Sequence, residues 1–220
     1  MARRKHAELR REIIAACREM NALGINQGTS GNVSARVEDG FLITPSGVAY
    51  DEMAPEQVVE MDLEGGHRGD QRPSSEWRMH SDIYCGRPEA GAVVHTHATF
   101  CTALACLHME IPAFHYMVAV AGGTNIRCAG YATFGTQALS DTMLKALEGR
   151  RACLLANHGM ICFSPELKKA LALAVEVETL ARQYWHARQA GEPVLLSEKE
   201  MTAVLERFEN YGRQDGDPER

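Results

Sequence analysis

A chain of 220 residues that is 45% hydrophobic and 24% charged has the balance of a soluble globular protein, with enough apolar material for one large domain and its core. The formal net charge of −6 lacks the basic footprint of a nucleic-acid surface, although it leaves room for a local pocket that takes a phosphorylated small molecule. Seven cysteines without a CxxC pair, most in apolar stretches, read as reduced, buried thiols of a cytoplasmic protein.

In chain order, "MARRKHAELRREIIAACREM" places Leu9, Ile13, Ala16 and Met20 at helical spacing, which predicts an amphipathic helix and no signal core. "ALGINQGTSGNVSARV" is a loop rich in glycine and hydroxyls that leads into a strand over 33–37. "FLITPSG" is a strand running into a turn, and "QVVEMDL" is another strand. "RPSSEWRMHSDIYCGRP" is a loop opening a helix, with Ser74 or Ser75 as its expected cap. "AGAVVHTHAT" is a buried strand, followed by a helix through Cys106. "ACLLANHGMICFS" is an apolar strand pair broken at Asn157, His158 and Gly159. The longest helix runs between Pro165 and Gly191, and another covers the region from Ser197 to Tyr211.

No apolar run approaches the length of a membrane span. Strands and helices alternate without the regular period of a doubly wound parallel sheet. The expected fold is therefore α/β, a three-layer α/β/α sandwich around a mainly antiparallel or mixed sheet. One catalytic domain is expected over 1–211, with 212–220 as a flexible tail.

Three histidines stand out among nine. On a strand, His95 and His97 face the same side, and His158 follows a second apolar run beside Gly159. Three nitrogen donors are what catalytic zinc takes, with a further position left for water or substrate. Buried histidines are also satisfied by ordinary hydrogen bonds, and spacing alone does not separate the two readings. Glu76, at a helix start, is a fourth ligand, a general base or simply part of a cap. "GTSGN", "TPSG" and "PSS" each resemble an anion cradle or an ordinary turn.

Taken in order, "LGINQGTSGNVSAR", "FLITPSGVAYDEM", "RPSSEWRMHSDIY", "AVVHTHATFCTALA", "IPAFHYMVAVAGG", "YATFGT" and "LLANHGM" resemble the class II aldolase/adducin family, and within it the fuculose-1-phosphate type of aldolase. The resemblance runs from about Glu8 to Tyr211. It implies a zinc ion on His95, His97 and His158, with Glu76 as the nearby carboxylate and proton shuttle. It implies a phosphate site from Thr29, Asn32, Ser46, Gly47, Ser74 and Ser75. Tyr116 of a neighbouring subunit would serve the aldehyde-side oxygen, and Phe134, Phe208 and Tyr211 would line the aldehyde end. It further implies a fourfold-symmetric homotetramer acting on a phosphorylated sugar. Retro-aldol chemistry needs an electron sink, and Lys145, Lys168 and Lys169 lie in polar helical stretches rather than in the apolar pocket of a Schiff-base lysine.

Fuculose 1-phosphate, 5-deoxyribulose 1-phosphate and 5-methylthioribulose 1-phosphate, the last two from methionine-salvage by-products, are all compatible substrates. The same superfamily contains pentulose-phosphate 4-epimerases, which carry Asp in place of Glu76. It also contains methylthioribulose-phosphate dehydratases, against which "HYM" and "ENYG" count. A metal-free, adducin-like binding module is the non-enzymatic alternative, and the intact histidines and Glu76 speak against it.

Overall fold

The computed structural model describes residues 6–210, so Tyr211 and the expected tail, 212–220, lie outside the described residues. The helices are α1 (Ala7–Ala22), α2 (Trp77–Gly86), α3 (Thr99–Cys106), α4 (Gln137–Ala146), α5 (Leu167–Ala190) and α6 (Glu198–Asn210). The strands are β1 (Asn32–Val37), β2 (Gly40–Ile43), β3 (Val59–Met61), β4 (Ala92–Thr96), β5 (Cys128–Ala129), β6 (Ala152–Leu155) and β7 (Gly159–Ser164). Short 3₁₀ segments cover Pro55–Gln57 and Tyr116–Ala121. No helix among the described residues is long and apolar enough to cross a membrane.

The strands form one sheet in the order β3-β2-β1-β4-β7-β6-β5. Neighbours are antiparallel apart from the parallel β5–β6 pair, which is the mixed sheet expected. Strand β4 is buried along its whole length, as a central strand covered on both faces must be. Its alternate residues serve different layers. Ala92 and Val94 join Ile13, Leu104 and Leu180 in a core beneath α1, α3 and α5. Val93 joins Phe163, Met79, Ile83 and Met143 beneath α2 and α4. Helices on both faces of one sheet give the three layers.

Two local expectations need correction. β4 ends at Thr96, so His97 lies just past the strand rather than on it. The reason is register. β1 begins at Asn32, opposite His95, and the β7 ladder ends at the Thr96–Met160 pair, so no partner strand extends to His97. Glycines bracket this end of the ladders: a Cβ at Gly31 would stand 2.6 Å from the His95 carbonyl oxygen, and one at Gly159 2.4 Å from that of Thr96. Second, the N-cap of α2 is Glu76 rather than a serine, and its side chain makes no capping bond. The Ser74 hydroxyl instead accepts the Glu76 amide at 3.3 Å, which frees the Glu76 carboxylate to turn inward.

Candidate metal and active site

Glu76, His95, His97 and His158 present ligand atoms that all lie within 4.8 Å of one another. Each comes from a different place in the fold. Glu76 heads α2, His95 sits at the end of β4, His97 begins the connection to α3, and His158 occupies the β6–β7 turn. That turn passes through Asn157 in the left-handed region, φ 53, a conformation asparagine tolerates better than most residues. His108 Nε2 meets Asn157 Oδ1 at 2.6 Å, and the carbonyl of His97 accepts from Gln27 Nε2 at 3.2 Å.

The three imidazoles meet edge to face. Their ring centroids are 5.0 Å apart for His95–His97, 4.8 Å for His95–His158 and 4.9 Å for His97–His158. His95 Nδ1 lies 2.8 Å from the Met160 carbonyl oxygen. A carbonyl only accepts, so Nδ1 carries the proton and Nε2 is the nitrogen turned to the cluster. That Nε2 is 3.1 Å from Glu76 Oε2, and His158 Nε2 is 3.1 Å from Glu76 Oε1. These are ion-pair distances without hydrogen-bond alignment at His95 Nε2 or Glu76 Oε1. Together with His97 Nε2, both atoms are buried with no hydrogen-bond partner.

Imidazole lone pairs and a carboxylate crowded together in a protein interior repel one another. A cation among them would turn every such contact favourable. Three nitrogens and one carboxylate oxygen make a donor set suited to a divalent transition metal, and orphaned atoms converging on one point fit that use. Burial alone would raise the Glu76 carboxyl, but His95 and His158 hold it well below the usual carboxylate range. Burial pulls His95 down, yet the Glu76 charge and the Met160 carbonyl outweigh it and leave His95 above its ordinary value. His97 is pushed down to about 4, by burial first and then by the neighbouring imidazoles.

Beside the cluster opens a cavity of about 300 Å³ lined by Ser30, Ser75, Glu76, His97, Tyr131, Ala132, Phe134, Asn157 and His158. Phe134, singled out from the sequence, is among these lining residues, at 64% exposure. Tyr131, Ser30 and Asn157 were not singled out. For Tyr131 the signal was available, because it opens the same "YATFGT" segment. Thr29, Ser46 and Gly47 are exposed in turns and are not among the lining residues. An isolated bridge between Pro45 and Pro73, with Ser74 N donating to the Thr44 carbonyl at 3.0 Å and Ser46 N to that of Arg72 at 3.1 Å, lays the Ser46–Gly47 turn beside Ser74 and Ser75. Asn32 faces Glu76, donating from Nδ2 to Oε2 at 3.0 Å. Tyr116 is 52% exposed, stacks on His115 and lies outside the cavity lining. Phe208 packs against the larger core cluster, also away from the cavity. A larger cleft of about 430 Å³, lined among others by Arg10, Glu60 and Arg68, mixes charges of both signs and holds none of the four clustered residues.

Residues 11–185 match the model of the class II aldolase and adducin N-terminal domain. The chain belongs to that family. A 5-methylthioribulose-1-phosphate/5-deoxyribulose-1-phosphate aldolase of Rhodospirillum rubrum is 57% identical over 204 residues, covering 93% of this chain and 92% of the relative. The L-fuculose phosphate aldolase of Escherichia coli K12 is 50% identical over 206 residues, covering 93% and 96%. A solved L-fuculose 1-phosphate aldolase superposes with a TM-score of 0.91 at 39% identity, covering 95% of this chain and all of that one. The protein is a class II, metal-dependent aldolase, a carbon–carbon lyase, and the four-residue cluster is the metal-site-like centre of its fold.

Proposed function

We propose that this aldolase cleaves a 1-phosphorylated deoxyketose to dihydroxyacetone phosphate and a short aldehyde, with zinc on His95, His97 and His158. The substrate is one or more of 5-deoxyribulose, 5-methylthioribulose and fuculose 1-phosphate, the compounds named for its relatives. The observation that carries this reading is the convergence of orphaned His95 Nε2, His97 Nε2 and Glu76 Oε1 beside an open cavity.

Bound there, a divalent cation supplies the Lewis acidity that stabilises charge left on the substrate when the carbon–carbon bond breaks. The protein's own residues do the rest. Thr29, Ser46, Gly47, Ser74 and Ser75 hold the phosphate with hydroxyls and turn amides at the amino end of α2, and Asn32 borders that subsite while bonding Glu76. Tyr116 of a neighbouring subunit takes the proton from the hydroxyl that becomes the aldehyde oxygen. Glu76 delivers a proton to the carbon left behind. Tyr116 is half exposed and outside its own chain's cavity, as service to a neighbour requires, and we assign the enzyme a homotetramer built from single 1–211 domains. Free cysteines, four of them fully buried, suit a reducing, cytoplasmic setting.

Tyr131, Ala132 and Phe134 give the cavity mouth an apolar wall that accepts a methyl or methylthio end. Size alone discriminates between such ends by only about 10–200-fold, so turnover of more than one substrate is expected. The test compares kcat/KM for the three sugar phosphates, with and without chelator, while following dihydroxyacetone phosphate. Chelator-insensitive cleavage, or conversion without release of dihydroxyacetone phosphate, overturns the reading; the second result would point to epimerase or dehydratase chemistry.

A further inference from the structure

Behind Glu76 lies a buried polar ladder. Asn32 and Ser34 alternate on the inner face of β1, and Glu76, His80 and Tyr84 follow at four-residue intervals from the cap of α2. Four residues of helix rise about 6 Å and two residues of strand about 6.6 Å, so the two rows stay in step and interleave. The contacts run Glu76 Oε2 to Asn32 Nδ2, 3.0 Å; Asn32 Oδ1 to His80 Nε2, 2.6 Å; His80 Nδ1 to Ser34 Oγ, 2.7 Å; and Ser34 Oγ to Tyr84 OH, 2.7 Å. Ser34 and His80 have no solvent exposure, and Asn32 has 3%.

The chemistry of the end groups fixes the direction of every bond. Ionised Glu76 only accepts, so the Asn32 amide must donate to it and its carbonyl must face His80. A carbonyl only accepts, so His80 Nε2 carries the proton and Nδ1 accepts from Ser34, whose oxygen in turn accepts from Tyr84. All four bonds therefore point toward the carboxylate and polarise one another in the same sense. Burial keeps His80 neutral, with its proton affinity pushed down to about 3, and burial raises the Tyr84 phenol above its ordinary value, so neither group reverses the ladder.

We propose that His80 is a positioning residue for Glu76, acting through Asn32: by locking the Asn32 amide it pins Glu76 Oε2 as a bonded, unprotonated oxygen and leaves Oε1 as the oxygen that exchanges the proton. Glu76 Oε1 is the oxygen with no hydrogen-bond partner, and Glu76 lines the cavity. Without the His80 donor, the Asn32 amide is free to turn its carbonyl toward Glu76, where two acceptors oppose each other. The inference deepens the aldolase reading and rests on it for its kinetic arm only.

Nitrogen-15 NMR of the histidine side chains in the folded wild-type protein tests the bond order directly. The expected result is neutral His80 in the Nε2–H tautomer at neutral pH; an Nδ1–H tautomer or an imidazolium overturns the proposal whatever the enzyme turns over. In the kinetic arm, His80→Leu should lose about 10–100-fold in kcat, with KM within about twofold and metal content unchanged. His80→Gln, which keeps an N–H donor toward Asn32, should regain most of that loss. Equal losses in the two variants, or a change in KM alone, overturn the positioning role. Should His80→Leu not fold, Ser34→Ala removes the donor to His80 Nδ1 while the Asn32 carbonyl still faces Nε2, so the Nε2–H tautomer should persist in that variant; a switch to Nδ1–H overturns an order imposed from Glu76 through Asn32.

Discussion

The Glu178 carboxylate, midway along α5, accepts the backbone amides of Phe100 and Cys101, each at 2.9 Å, in the first turn of α3. An acid brought in from another helix thus performs the capping that Ala98, at the N-cap position, lacks a side chain to perform. Because α3 starts two residues after His97, this clamp also fixes where the third imidazole sits. Glu178→Ala leaves two amide donors short of an acceptor and should cost about 2–4 kcal/mol. Denaturant titration would read that loss, and Glu178→Gln, which keeps one acceptor oxygen, should lose less. Equal stability in all three proteins would remove the clamp from the account.

Glu76→Gln keeps the three imidazoles and the shape of the side chain but removes the carboxylate proposed to exchange the proton. Metal content should hold while kcat falls by about 10²–10⁴-fold, the usual contribution of a positioned acid or base. Metal analysis beside steady-state kinetics separates this from loss of the site. An unimpaired variant would take Glu76 out of proton transfer.

Chelation should lower the melting temperature, because a cation that binds only the folded cluster adds about 2.7 kcal/mol when present at a hundred times its dissociation constant. At this chain length each kcal/mol moves Tm by about 2–4 °C. His97→Ala should melt at one temperature with or without zinc. A metal-dependent shift that survives in that variant would place the ion elsewhere.

Buried His80 is pushed down to about 3, while in the unfolded chain it titrates near 6.5. The folded state therefore binds fewer protons between those values, and stability present above pH 6.5 is lost as pH falls toward 3. Urea midpoints at pH 7.5, 6 and 5 should decline in that order, and replacing His80 by Gln should flatten the slope. A midpoint that rises on acidification would contradict a neutral, buried imidazole.

Much of this was legible in the sequence, and the limits have physical causes. Long periodic patterns announced α1 and α5, and continuous apolar runs announced β4, β6 and β7, since burial on both faces leaves no polar interruptions. The histidines stood out because imidazoles are rare in such runs, but their spacing alone did not separate ligands from hydrogen-bonded histidines, and the ordered family motifs were needed to join them to Glu76. The end of β4 was not readable, because it depends on where β1 and β7 stop pairing. Glu178 looked like one more acid on a long helix until its tertiary partners were known. The polar ladder left a trace, in Asn32 and Ser34 two apart and Glu76, His80 and Tyr84 four apart. Neither row means anything until the strand and the helix are laid side by side.

β4 joins its neighbours at His95, whose backbone pairs with Asn32 on one side and Ile161 on the other, while its ring bonds Met160, 65 residues away in sequence. Neither ladder alone assembles the cluster. Closing both needs long-range pairings, the slow kind. The complete four-group site is thus a checkpoint on folding, assembled only in a chain whose two halves have met across β4.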